Sequence, residues 1–153
     1  MDIPESMKAE LAAWNGGRGI DLESWVSCVG NFNLAVGYLS VFWPEFAEFE
    51  GYILGKGFSE DSLRGFERSC AEDRKSVEAV MNHLHIADLQ HYGCEDLSKD
   101  KVILLGVRLK EIYEAKLRWQ FPNKPCTVSF YEPDDSDDLE AYEITFWQKA
   151  HEK

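Results

Sequence analysis

The chain has 153 residues, of which 44% are hydrophobic and 29% are charged, and its formal net charge is −12. This length and composition are typical of one globular domain over residues 1–153 and exclude a disordered chain. The acidic charge disfavours nucleic-acid binding, which needs a basic surface, and favours a basic protein partner. No apolar signal region opens the sequence, and its longest apolar run, "FNLAVGYLSVFW", is too short to span a membrane. We therefore expect a soluble, cytoplasmic protein with no membrane contact.

The N-terminal third has helical spacing. "PESMKAELAAWN" predicts a short helix that ends at the following glycine pair. From Asp21, a good N-cap, apolar residues recur every three or four positions as far as Trp43. This pattern predicts either one long helix or two helices hinged at Gly30. Its second half is apolar almost all round, which predicts burial on several sides, with a buried strand as the alternative.

The middle of the chain is also predicted to be helical. Pro44 and the glutamate after it are typical of a helix start, so "PEFAEFEGYIL" is interpreted as a helical segment. Ser59 is the expected N-cap of the next helix, "SEDSLRGFERSCAED". Asp73 is the expected N-cap of the helix that leads into "MNHLHIADLQHYGC".

The C-terminal part combines one long helix with alternating segments. Ser98 begins a broad apolar helix over residues 98–121, and Gly106 inside it indicates that another element packs closely there. "CTVSFY" and "EAYEITFW" alternate and flank the acidic "EPDDSDDL", which predicts an antiparallel hairpin. The predicted fold class is α+β: mainly helical, with five or six helices and a C-terminal two-stranded antiparallel hairpin packed on them.

The stretch "MNHLHIADLQHYGC" holds three of the four histidines. If its helix is continuous, a rotation of about 100° per residue places Asp88 on the apolar face, with His85 and His91 on either side and His83 pointing away. Asp88 must then be paired, hydrated or at the mouth of a cavity, because burying an unpaired carboxylate is costly. The alternative is a break near His83, after which a second short helix turns the next apolar residues inward.

Two kinds of site can be built on this stretch. One is a small-molecule pocket between helices, with Asp88 and His91 at its centre and His85 and Tyr92 beside them. The other is a metal site formed by Asp88, His91 and Cys94, if the chain turns back after Gly93. On a straight helix His85 and His91 lie about 120° apart, too far for both to bind one ion. A satisfied structural Asp–His pair is the simpler interpretation of the same residues.

A second candidate is the segment "FWPEFAEFEGY", in which five aromatic residues alternate with three glutamates. In one interpretation the aromatic residues are buried in the core and the glutamates form a hydrated face. In the other, the aromatic residues form an exposed patch with an acidic rim that binds a protein or a cation. Trp43, Phe46, Phe49 and Glu50 would form that patch.

These features lead to three functional hypotheses. No nucleophile elbow, phosphate loop or dinucleotide fingerprint is present, so no cofactor is predicted and an enzyme is not favoured. The first hypothesis is a small acidic non-enzymatic binding protein of bacterial type, acting as inhibitor or immunity-like proteins do on a basic partner. The second is the small-molecule or metal site at Asp88 and His91. The third is a homodimer formed through the aromatic segment.

Overall fold

A computed structural model describes residues 2–152, and within this range the chain is mainly helical with two small antiparallel sheets. Its elements in chain order are α1 (Glu5–Gly17), α2 (Leu22–Val29), α3 (Phe32–Phe42), β1 (Phe46–Phe49), β2 (Tyr52–Gly55), α4 (Glu60–Ser69), α5 (Arg74–Met81), β3 (Leu84–His85), α6 (Lys99–Gln120), β4 (Cys126–Tyr131) and β5 (Glu143–Gln148). Short 3-10 turns occupy Ile86–Leu89, Leu139–Ala141 and Lys149–His151. None of the helices in residues 2–152 combines the length and the apolarity needed to cross a membrane.

Helix α6 is the centre of the fold, as its broad apolar surface predicts. It buries Val102, Leu109 and Leu117 in the main core, which also receives side chains from β4 and β5. The prediction of close packing at Gly106 is confirmed, because a Cβ there would lie 2.1 Å from Cε2 of Phe130. The ring of Phe130 thus occupies the space that any larger residue at position 106 would need.

The C-terminal sheet differs from the predicted hairpin by one strand. Strands β4 and β5 pair antiparallel, with Phe130 opposite Ile144, as the alternating pattern predicts. Strand β3 pairs with the other edge of β5, where Leu84 lies opposite Ile144, so the order is β3-β5-β4. The two-stranded prediction was wrong here because β3 has only two residues, too few to show an alternating pattern.

The segment after Pro44 is a β-hairpin, and the prediction of a helix there was wrong. Strands β1 and β2 pair antiparallel around a turn in which Glu50 and Gly51 have φ values of 48° and 81°. Two consecutive residues with positive φ are typical of the tight turns that join paired strands. Pro44 and Glu45 have the composition of a helix start, but the aromatic and branched residues around Gly51 favour strands.

Helices α2 and α3 meet at Gly30, so the two-helix alternative is the one observed. The side chains of Asp21 and Asn31 cap the two helices, each accepting a hydrogen bond from a backbone N–H three residues later, at 2.8 and 2.9 Å. The prediction that α3 is buried on several sides was wrong: no residue of α3 is fully buried, and Phe32 is 90% exposed.

Helix α5 ends at Met81, so of the two alternatives for the histidine stretch the break is observed. The side chain of Asn82 explains the ending, because it bonds to the backbone of β2 at the N–H of Gly55 and the carbonyl of Ile53, at 3.1 and 2.9 Å. The chain then forms β3 and the 3-10 turn, which directs Ile86 into the core at 2% exposure.

Candidate functional site

A cleft of about 970 Å³ lies beside the histidine stretch. Its walls are α3, the first turns of α6, the 3-10 turn Leu139–Ala141 and residues 86–97, which we call the rim loop. After the 3-10 turn Ile86–Leu89, the residues from Gln90 to Leu97 are all exposed. The break after α5 thus creates the cleft, because the chain leaves the helix and passes around its mouth.

One wall of the cleft is apolar. It is formed by side chains from helices α2, α3 and α6 and from the rim loop: Val26, Tyr38, Phe42, Ile86, Leu89, Val102 and Leu105. The amide of Gln90 donates a hydrogen bond to the hydroxyl of Tyr38, which joins the rim loop to α3. These apolar side chains can therefore cover the hydrocarbon part of a ligand.

The charged side of the cleft holds four carboxylates, from Asp88, Asp96, Asp138 and Glu140. Lys101 lies among them but is engaged by Asp96, with its Nζ 2.7 Å from the backbone carbonyl and 3.8 Å from the carboxylate. Within residues 2–152, the carboxylates of Asp88, Asp138 and Glu140 take part in no ion pair. The cleft therefore has an excess of negative charge that faces solvent.

The acidic segment between β4 and β5 is folded back toward the cleft. The hydroxyl of Tyr142 donates a hydrogen bond of 3.0 Å to the carbonyl of Ser136, and Lys99 lies 3.6 Å from the carboxylate of Asp137. The first contact folds the segment on itself, and the second holds it against the start of α6. As a result, Asp138 and Glu140 reach the cleft from a position about fifty residues beyond Asp88 in the sequence.

Five of the residues predicted from the histidine stretch line this cleft: His85, Asp88, His91, Tyr92 and Cys94. His85 donates from Nδ1 to the carbonyl of Glu140 at 2.9 Å, while Nδ1 of His91 accepts from the N–H of Gly93 at 3.0 Å. Asp88 is exposed, so hydration at a cavity mouth is the way in which its charge is accommodated. A buried Asp–His pair is not formed.

The structure does not bring Asp88, His91 and Cys94 together as metal ligands. No group of three or more His, Cys, Asp or Glu side chains in residues 2–152 is placed to hold a metal ion. The thiol of Cys94 instead donates to the carboxylate of Asp96 at 2.9 Å. This hydrogen bond raises the pKa of Cys94 above its ordinary value, because ionising the thiol would place a thiolate beside a carboxylate.

The predicted aromatic patch is divided among different parts of the fold. Phe46 is 6% exposed and packs edge-on against the ring of Phe146, with centroids 4.9 Å apart. Phe49 packs against Phe58 in a second core cluster, at 5.1 Å. Glu50 is exposed in the β1–β2 turn, where its carboxylate pairs with Arg64 at 2.8 Å. The hairpin explains this separation, because adjacent residues of a strand point to opposite faces.

Trp43 is the one member of that patch with an aromatic neighbour at the surface. It is 46% exposed and lies 6.0 Å from the ring of Trp119, which is 68% exposed. The Nζ of Lys116 lies between them, 5.0 Å from the ring of Trp43 and 4.7 Å from that of Trp119. Contacts of this kind stabilise a lysine that is otherwise withdrawn from water.

Sequence reasoning missed a buried polar cluster that we call the Glu78 network, formed by Glu78, Gln148 and His151 with the backbone N–H of Ile53. The carboxylate of Glu78 is fully buried and accepts from the N–H of Ile53 at 2.9 Å and from the backbone and side chain of Gln148 at 2.8 and 2.6 Å. Nδ1 of His151 lies 2.8 Å from the same carboxylate. The sequence carries no signal for this cluster, because Gln148 and His151 lie about seventy residues beyond Glu78 in the chain.

Comparisons with known proteins identified no matching family model, no similar curated protein and no similar solved structure. Function is therefore inferred from the charge and geometry of the cleft.

Proposed function

We propose that the protein is a small acidic binding protein that engages a basic protein partner through the cleft. The observation that carries this proposal is the set of acidic residues Asp88, Asp138 and Glu140, which line the same cleft as the apolar side chains and form no ion pair in the described range. The net charge of −12 acts in the same direction, because it attracts a basic partner at long range.

An arginine or lysine side chain of the partner has the chemistry that this cleft can bind. Its hydrocarbon stem can lie along Tyr38 and Phe42, while its cationic end reaches the carboxylates of Asp88 and Glu140. The exposed ring of Tyr92, at 97% exposure, lies at the rim and can cover the neighbouring surface of the partner. This combination of an apolar wall and free carboxylates favours a cationic side chain over a neutral one.

A role of this type is that of an inhibitor or an immunity-like protein, which binds its partner without chemical reaction. The chemistry of the cleft supports binding over nucleophilic catalysis. Its thiol, Cys94, is hydrogen-bonded to Asp96, and this contact disfavours the thiolate that a cysteine nucleophile requires.

A small organic cation is a second candidate ligand, and the size of the cleft favours it. A volume of about 970 Å³ lies within the range of roughly 300–1,000 Å³ that small-molecule sites occupy. A polyamine or an aromatic amine would use the same carboxylates and the same apolar wall as the side chain of a protein partner.

A nitrogen-15 NMR titration tests the proposal with defined probes. The full chain is titrated with an amidated peptide that alternates arginine and leucine, with the same peptide carrying glutamate for arginine, and with spermidine. We expect the arginine peptide to shift the amide signals of residues 86–97 and 138–141, and the glutamate peptide to leave them unchanged. Tighter binding of spermidine than of the peptide would identify a small-molecule protein instead.

Matched charge variants complete the test. The double variant Asp88→Asn and Glu140→Gln should weaken peptide binding roughly tenfold, on the order of the 1–2 kcal/mol expected for two partly exposed charge contacts. The control, Asp61→Asn with Glu72→Gln, removes the same charge from exposed sites outside the cleft. Equal weakening in both double variants would mean that net charge, and not the cleft, attracts the peptide.

A further inference from the structure

Helix α3 presents an apolar stripe to solvent, which we define as Phe32, Val36, Leu39 and Trp43. These side chains are 90%, 67%, 62% and 46% exposed. Their spacing of four, three and four residues places them on one side of the helix. This is the spacing of residues that pack one helix against another, and on an ordinary surface helix polar residues occupy that side.

The stripe is distinct from the cleft. Tyr38 and Phe42, the residues of α3 that line the cleft, lie roughly 100° round the helix from the centre of the stripe. The apolar surface continues beyond the stripe onto α6, where Trp119, 68% exposed, lies 6.0 Å from the ring of Trp43. Helix α3 therefore has two apolar sides, one that faces the protein and one that faces outward.

The charge of this region decides which partner it fits. Residues 26–43 contain no Asp, Glu, Lys, Arg or His, whereas 29% of the whole chain is charged. A basic partner finds no counter-charge here and is drawn to the cleft. Two copies of the chain, each with a net charge of −12, repel one another in every orientation, and this repulsion is weakest where the contacting surfaces themselves carry no charge. The stripe is such a place.

We propose that the stripe of α3 is a homodimer interface, covered by the stripe of a second copy about a twofold axis. In such an interface the same residues face one another, so apolar side chains meet apolar side chains along both helices. Ala35 and Ser40, small exposed residues on the flanks of the stripe, allow the two helices to approach closely. The dimer leaves both clefts open to their own partners.

Sedimentation equilibrium of the full chain over a dilution series tests this interface. We expect wild type to form dimers and Val36→Glu to weaken association roughly a hundredfold, because each dimer would bury two unpaired carboxylates. The matched control is Val107→Glu, the same change at an exposed valine of α6 outside the charge-free segment, and it should leave association unchanged. Phe32→Ser is a second variant of the stripe and should also weaken association. Circular dichroism verifies that all three variants fold.

Salt dependence separates this interface from the cleft. Association should strengthen as sodium chloride rises from about 20 mM to about 500 mM, because salt screens the repulsion between acidic copies. Peptide binding in the cleft should weaken over the same range. A wild-type chain that stays monomeric at about 1 mM, or association equally weakened by Val36→Glu and Val107→Glu, would overturn the proposal. A monomer that cosediments with phosphatidylcholine vesicles would also overturn it, in favour of a lipid surface.

Discussion

The Glu78 network and the cleft around Asp88 both combine carboxylates with histidines, and they place them in opposite surroundings. The carboxylate of Glu78 is fully buried and contacts donors from β2, β5 and the 3-10 turn Lys149–His151. Asp88 is exposed beside a cavity, and no donor to it is found in residues 2–152. In both regions a histidine lies near an acidic residue, which indicates a polar site. Burial of the carboxylate then distinguishes a site that stabilises the fold from one that is available to a ligand.

The largest expected effect is the loss of stability on Glu78→Ala. The substitution leaves the N–H groups of Ile53 and Gln148 and the ring of His151 without their shared acceptor inside the protein. Each buried donor left without its acceptor costs about 1–3 kcal/mol, so the free energy of unfolding measured in urea should fall by about 3–5 kcal/mol. Asp88→Ala is the matched acid-to-alanine control, and a similar fall in both variants would contradict the contrast between the two regions.

The next effect concerns the reactivity of two cysteines: Cys126, which lies near the Glu78 network, and Cys28, an exposed residue of α2. Burial, together with the nearby charge of Glu78, raises the pKa of Cys126 to about 12. At pH 8 its thiolate population should therefore be roughly a thousandfold below that of an unperturbed cysteine. Iodoacetamide labelling followed by mass spectrometry of the peptides should show exposed Cys28 reacting much faster than Cys126.

The raised pKa of Cys126 also predicts how the stability of the folded state changes at alkaline pH. The folded state keeps the proton of Cys126 between its ordinary pKa of about 9 and the folded pKa of about 12, and the unfolded state loses it. Stability should therefore fall as pH rises through this window. In a Cys126→Ser variant the fall should be smaller, and an identical pH profile in both proteins would exclude Cys126 as its source.

A smaller loss of stability is expected from His151→Ala. The substitution removes one of the hydrogen bonds to Glu78 but leaves those from Ile53 and Gln148. A hydrogen bond to a charged group contributes about 1.5–3 kcal/mol, and the partial exposure of His151 brings the expected loss to about 1–2 kcal/mol. Lys149→Ala, in the same 3-10 turn, is the control that should show little change in urea unfolding.

The smallest effect on stability is expected from Asp88→Asn. An exposed carboxylate without an ion pair contributes little to folding, so the free energy of unfolding should change by less than about 0.5 kcal/mol. Binding of the arginine peptide should nevertheless weaken. A loss of stability comparable to that of His151→Ala would contradict this expectation, because it would show that Asp88 stabilises the fold.

The helices with clear N-caps and regular apolar spacing were predictable from the sequence. Asp21 marks the start of α2, Gly30 marks its junction with α3, and the three-and-four spacing extends along α6. The β1–β2 hairpin was missed because Pro44 and the glutamate beside it are typical of a helix start. The Gly51 turn between aromatic and branched residues was the available signal for strands.

The candidate site was predictable in its residues but not in its geometry. The histidine stretch drew attention to Asp88 and His91 because of their composition, and both line the cleft. The contribution of Asp138 and Glu140 depends on how the segment between β4 and β5 folds back, which local sequence does not determine. The exposure of α3 was also unpredictable, because an apolar helix has the same composition whether its partner is its own core or another molecule.

The Glu78 network also constrains the order in which the chain can become native during synthesis. Helix α5 emerges from the ribosome well before residues 148–151, which supply most of the partners of Glu78. Until these residues are made, α5 cannot pack natively without burying an unsatisfied carboxylate. Helix α5 should therefore reach its native packing only after β5 and the turn that follows it have been made.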